Sequence, residues 1–94
     1  MNITNEHSPL NISILGSTGS IGTQALEVVD DLRGIKTINV VALSGKTNID
    51  LLEKQARKYR PKAVAVADEG GMRELSVRLA DTDIRVLCGE EGLI

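Results

Sequence analysis

The sequence is almost without aromatic residues: it has no Trp and no Phe, and one tyrosine, Tyr59. Proteins that hold single-stranded nucleic acid stack bases on aromatic faces, so that class is excluded. The core must be built from Ile, Leu, Val and Ala instead. Cys88 is the single cysteine, which excludes an internal disulfide and a thiolate zinc site. It closes an apolar run, and its expected role is that of a small buried hydrophobe. His7 is the single histidine and stands in a polar N-terminal stretch, with no role expected. Charge of one sign is lacking too: 13 acidic residues face 11 basic ones, for a net charge of −2. Without a basic stripe, duplex binding by phosphate neutralisation is not expected. No apolar run approaches the roughly 18 residues of a membrane span. No signal-peptide apolar region opens the chain, and the expected location is the cytoplasm.

What the sequence does have is a glycine-rich turn. Ile12-Ser13-Ile14-Leu15 reads as a short buried strand, and Gly16, Gly19 and Gly22 follow as G-x-x-G-x-x-G. This is a variant of the dinucleotide-binding fingerprint. The first glycine turns sharply off the strand, where a Cβ is costly. The second lets backbone approach a pyrophosphate, and the third lets the helix pack against the strand. The helix then aims its unpaired N–H groups and the positive end of its dipole at the phosphates. Ser17, Thr18 and Ser20 are expected to add hydroxyl donors.

The 94 residues make at most one domain. Residues 1–9 are polar and aperiodic and predict a flexible tail. Residues 10–15 predict a strand. A helix follows from Ser20 to about Leu32, with Ile21, Ala25, Val28, Val29 and Leu32 as its apolar face. Asp30 and Asp31 are adjacent and diverge on a helix, so they are assigned to a solvated face. Gly34 suits a left-handed cap. Thr37 to Leu43 is a β-branched second strand.

A second helix is predicted over 48–59, with Thr47 and Asp50 in a capping arrangement. Ile49, Leu52, Ala56 and Tyr59 form its buried stripe, and Lys54, Arg57 and Lys58 an outer face. Pro61 ends it. A third strand over 63–67 follows, then a turn and cap over 68–71 and a helix from Met72 to about Ala80. The carboxylates of Asp81 and Asp83 are assigned to a turn. A fourth strand covers 84–88, and the residues from Gly89 resemble another helix start. Alternation of this kind argues an α/β fold, a Rossmann-like doubly wound parallel sheet that is truncated at about four strands and three helices.

The residues after the second strand bear on the choice of cofactor. NAD-specific folds place a carboxylate there for the ribose 2′-hydroxyl. Here Ser44-Gly45-Lys46-Thr47-Asn48 contains none. Lys46 attracts a 2′-phosphate, and Ser44 and Thr47 can donate to it. A charge-assisted hydrogen bond contributes about 1.5–3 kcal/mol, enough for a preference for NADPH.

The string Ile14-Leu15-Gly16-Ser17-Thr18-Gly19-Ser20-Ile21-Gly22 resembles the opening of the 1-deoxy-D-xylulose 5-phosphate reductoisomerases. The likeness continues through Val40-Val41-Ala42-Leu43, Arg60-Pro61-Lys62-Ala63-Val64-Ala65-Val66 and Leu87-Cys88-Gly89-Glu90-Glu91-Gly92. It implies that residues 10–94 are the N-terminal part of an NADPH-binding domain whose catalytic domain is absent. It carries cofactor contacts onto Thr18, Gly19, Ser20 and Ile21, and 2′-phosphate contacts onto Lys46, Thr47 and Asn48. One departure stands out: the family's glycine two residues before the asparagine is replaced by Lys46, and the glycine lies one earlier, at Gly45.

The resemblance further implies conversion of 1-deoxy-D-xylulose 5-phosphate to 2-C-methyl-D-erythritol 4-phosphate in isoprenoid biosynthesis. It implies Mg²⁺ or Mn²⁺ held by carboxylates outside this chain, and a homodimer formed through later domains. No catalytic or metal residue is assigned here, and the chain alone is expected to be inactive. Two alternatives remain open. An extended short-chain dehydrogenase needs Tyr-x-x-x-Lys, whereas Tyr59 is followed at that spacing by Ala63. A non-catalytic nucleotide-binding module needs only the cradle.

Overall fold

A computed structural model describes residues 9–89. Four strands alternate with three helices: β1 (Leu10–Ile14), α1 (Ser20–Leu32), β2 (Ile38–Gly45), α2 (Ile49–Tyr59), β3 (Ala63–Val66), α3 (Glu69–Arg78) and β4 (Arg85–Cys88). All pairings are parallel, in the order β1-β2-β3-β4. The strand and helix numbers are those expected from the sequence. Because the order is sequential and crossovers are right-handed, the three helices stand side by side on one face of the sheet.

The core lies between that helix layer and the sheet. Ile14, Leu43, Val64 and Val66 meet Leu26 and Val29 of α1, Leu52, Ala56 and Tyr59 of α2, and Leu75 of α3. The opposite face carries small side chains along one register row, where Ser13, Ala42 and Ala63 lead to Arg85. A register shift after Ile12 leaves Val41 as the extra residue of β2, and its carbonyl accepts from Lys62 N–H at 2.8 Å.

Side chains tie the helices together. Tyr59 Oη of α2 donates to the Asp30 carboxylate of α1 at 3.0 Å, and Lys58 Nζ donates to it at 2.8 Å. Arg57 bonds Glu53, the Asp81 carboxylate and the Arg78 carbonyl. Arg78 pairs with Asp50, Glu53 and Glu74. The faces read as merely solvated thus carry interhelical pairs.

Several local expectations are corrected. The apolar face of α1 is turned: Gly22, Leu26 and Val29 are buried, while Ile21, Val28 and Leu32 are exposed at 83%, 54% and 40%. Gly22 sets this phase, as the site geometry explains. Asn48, not Thr47, caps α2, its Oδ1 accepting from Leu51 N–H at 3.1 Å. Asp50 lies inside the first turn and faces Arg78.

Helix α3 begins three residues earlier than expected, because Asp68 Oδ1 accepts from Gly71 N–H at 2.7 Å and caps it there. Arg33 ends α1 in a right-handed conformation, and Gly34 is not left-handed. Cys88 is exposed, since β4 is an edge strand among the described residues, and its Sγ lies 3.9 Å from the Ala67 carbonyl oxygen. His7, most of the expected tail and the residues after Gly89 lie outside the described residues.

Candidate functional site

The turn between β1 and α1 is held from behind by β2 and α2. Gly16 takes φ +69°, the left-handed conformation that glycine adopts without a Cβ penalty. Its N–H donates to Ser44 Oγ at 2.9 Å, and Ser17 N–H donates to the Ser44 carbonyl at 2.7 Å. Gly19 N–H closes the turn on the Gly16 carbonyl at 3.0 Å. A Cβ at Gly22 would stand 2.2 Å from the Gly16 carbonyl oxygen and 2.6 Å from Ser17 Cα. The third glycine therefore lets α1 lie directly against the turn, and that contact rotates Ile21 outward.

Ser17 is the main surprise of the turn. It is fully buried, and its hydroxyl donates to Gln55 Oε1 at 2.7 Å. Gln55 Nε2 donates back to the Ser17 carbonyl at 2.8 Å. The hydroxyl expected at the mouth of the cradle points into the protein instead.

What remains outward is a set of backbone donors. The amides of Thr18, Ser20 and Ile21 take no hydrogen-bond partner among the described residues. Helix α1 differs from its neighbours at this end. Asn48 and Asp68 cap α2 and α3, with Asp50 and Glu69 in their first turns. At α1 the capping position is Gly19, without a side-chain bond, and the first turn holds no acid. The positive end of the dipole is left uncompensated, as an anion requires.

The β2–α2 loop lies beside this turn because β1 and β2 are adjacent and parallel, with Ile14 opposite Leu43. A Cβ on Gly45 would stand 3.2 Å from Thr18 Oγ1, so Gly45 makes room for the threonine. The shifted glycine of this loop thus has a packing reason. Lys46, Thr47 and Asn48 are exposed just beyond it. A separate open cavity of about 670 Å³ lies at the N-terminal ends of β3 and β4, lined by Arg57, Lys62, Asp83 and Arg85 among others. It is remote from the glycine turn. No helix among the described residues is long and apolar enough to cross a membrane.

Known proteins resemble this chain in sequence and in fold. The sequence model of the 1-deoxy-D-xylulose 5-phosphate reductoisomerases matches residues 12–94. The chain belongs to that reductoisomerase family.

The reductoisomerase of Acetivibrio thermocellus is 57% identical over 82 residues, covering 87% of this chain and 20% of the relative. That of Agathobacter rectalis is 54% identical over 83 residues, covering 88% and 21%. The chain thus spans about a fifth of the length of these curated relatives. Among solved structures, the Zymomonas mobilis reductoisomerase in complex with NADPH superposes with a TM-score of 0.78 at 26% identity, over 90% of this chain and 22% of the other. A reductoisomerase in complex with NADPH, fosmidomycin and magnesium gives 0.81 at 29% identity, over 89% and 20%.

In this reductoisomerase-family chain, all seven residues expected at the cofactor lie in two neighbouring segments. Thr18, Gly19, Ser20 and Ile21 surround the start of α1, and Lys46, Thr47 and Asn48 lead into α2. Ser44, expected as a donor to the 2′-phosphate, is instead fully buried and holds the turn from behind by accepting from the Gly16 and Ser17 amides. The sequence reading missed Gln55, which holds the turn from the same side. Gln55 carried a legible signal: it is a polar residue on the apolar stripe of α2, between Leu52 and Tyr59.

Proposed function

We propose that this chain is the NADPH-binding portion of a 1-deoxy-D-xylulose 5-phosphate reductoisomerase. The observation that carries the reading is the start of α1. An uncapped helix end without an acidic residue, reached through a glycine turn, fits a pyrophosphate. Thr18, Gly19, Ser20 and Ile21 would hold that group. Lys46, Thr47 and Asn48 would surround the adenosine 2′-phosphate, with no carboxylate in the loop to repel it. NADPH supplies the hydride of the reaction. The whole enzyme would convert 1-deoxy-D-xylulose 5-phosphate to 2-C-methyl-D-erythritol 4-phosphate, as a cytoplasmic homodimer that binds neither nucleic acid nor membrane.

The divalent metal, Mg²⁺ or Mn²⁺, does not fit the described residues of this chain. The described residues hold no group of three or more His, Cys, Asp or Glu side chains suited to a metal ion. Its ligands belong to the catalytic domain, and the chain alone is proposed to have no turnover.

Calorimetric titration with NADPH and, separately, NADH tests the proposal. NADPH binding at least tenfold tighter than NADH supports it. Equal affinities, or no binding by a sample folded by circular dichroism, overturn the assignment of a self-sufficient NADPH site.

A further inference from the structure

We propose that Gln55 is a positioning residue for the phosphate-binding turn, acting on it through Ser17. The inference rests on the cofactor reading above and adds a residue outside its contacts. Gln55 is only 6% exposed and reaches across the core from α2 to a residue 38 positions earlier in the chain. The orientation of its amide follows from chemistry. The Ser17 carbonyl can only accept, so Nε2 must face it, and Oε1 then accepts from the Ser17 hydroxyl. Together with the bond from Ser17 N–H to the Ser44 carbonyl, every polar group of Ser17 is engaged. The residue is pinned on its inner side by side chain and backbone alike. The next residue in the chain, Thr18, is where the free amides begin. Their direction is set by the pinned peptide before them.

Helix α2 thereby serves both ends of the site. Its cap, Asn48, ends the Lys46 loop, and Gln55 lies seven residues on, about 10 Å along the axis at about 1.5 Å per residue. No change at position 55 removes an atom from the cofactor contacts. The predicted loss is therefore confined to the pyrophosphate end.

The test uses Gln55→Leu and Gln55→Glu in this chain, with NADP⁺ and adenosine 2′-monophosphate as probes, followed by chemical-shift titration. The monophosphate reaches the Lys46 loop but has no pyrophosphate. Gln55→Leu should weaken NADP⁺ at least tenfold and change the monophosphate less than twofold. Equal losses for both probes, or no loss for either, overturn the proposal.

Gln55→Glu covers the case in which the leucine variant does not fold. A carboxylate cannot donate to the Ser17 carbonyl, whereas the protonated acid can. The affinity of this variant relative to the native chain should recover towards one as the pH falls from 8 to 5. A ratio that is flat with pH counts against the proposal. If the native chain binds neither probe, it is the self-sufficient NADPH site that fails, which separates the two conclusions.

Discussion

The carbonyl oxygen of Gly16 occupies the space that a side chain at Gly22 would need, with only 2.2 Å to an ideal Cβ. Gly22→Ala must therefore push α1 off the turn. Overpacking of this kind costs about 1–3 kcal/mol, and the atoms it meets belong to the Gly16 and Ser17 backbone and cannot rotate away. Urea denaturation should show a clearly lower midpoint. Gly19→Ala meets only ordinary contact at 3.4 Å and should change stability by less than about 0.5 kcal/mol. Its methyl group would stand at the mouth of the cradle and weaken NADPH. Equal urea midpoints for the two variants would refute this division of labour.

Lys46 is exposed beside the turn and takes no ion-pair partner among the described residues. Lys46→Ala should lower the NADPH-over-NADH ratio about tenfold, the value of one charge-assisted hydrogen bond. The affinity for NADH should hardly change. A loss shared equally by both nucleotides in calorimetry would show that Lys46 does not read the 2′-phosphate.

Asp30 links pH to the contact between α1 and α2. The Lys58 ammonium and the Tyr59 hydroxyl hold its carboxyl below the ordinary value of 3.8. A carboxylate lowered in the fold contributes stability above its unfolded pKa and loses it as pH falls through the folded one. The contribution is thus present at neutral pH and fades below about pH 4. Asp50 and Asp81, lowered by Arg78 and Arg57, act in the same window. Burial, and next the bond to Asp30, push the Tyr59 hydroxyl above its ordinary 10.0. That contribution is complete below about pH 10 and is lost above it. Denaturation midpoints of Asp30→Asn should fall less steeply below pH 4 than those of the native chain. An unchanged slope would remove Asp30 from the account.

Arg60 ends α2 in the left-handed region, at φ 50° and ψ 56°. That conformation costs a non-glycine residue about 1–2 kcal/mol. Glycine relieves this but loses about 0.5–1 kcal/mol through the unfolded chain. Arg60→Gly should therefore gain about 0.5–1 kcal/mol, read as a higher urea midpoint. A lower midpoint would mean that the arginine side chain contributes more than its backbone costs.

The sequence by itself determined the alternation of strand and helix, the glycine turn and the absence of a carboxylate after the second strand. Each of these is written in residue types within a short window, where periodicity and backbone preference act locally. The boundaries of α1 were legible for that reason, but its buried face was not. Ile21 and Val28 satisfy the helical period as well as Leu26 does, and only the Gly22–Gly16 contact chooses between them. Tertiary structure likewise decided that Ser17 faces inward, that Gln55 receives it and that Cys88 stands on an exposed edge. The bonds that settle the turn span 28 and 38 residues. Local patterning marks Gln55 as a polar residue on an apolar stripe but does not name its partner, because their meeting depends on how the strands are ordered in the sheet.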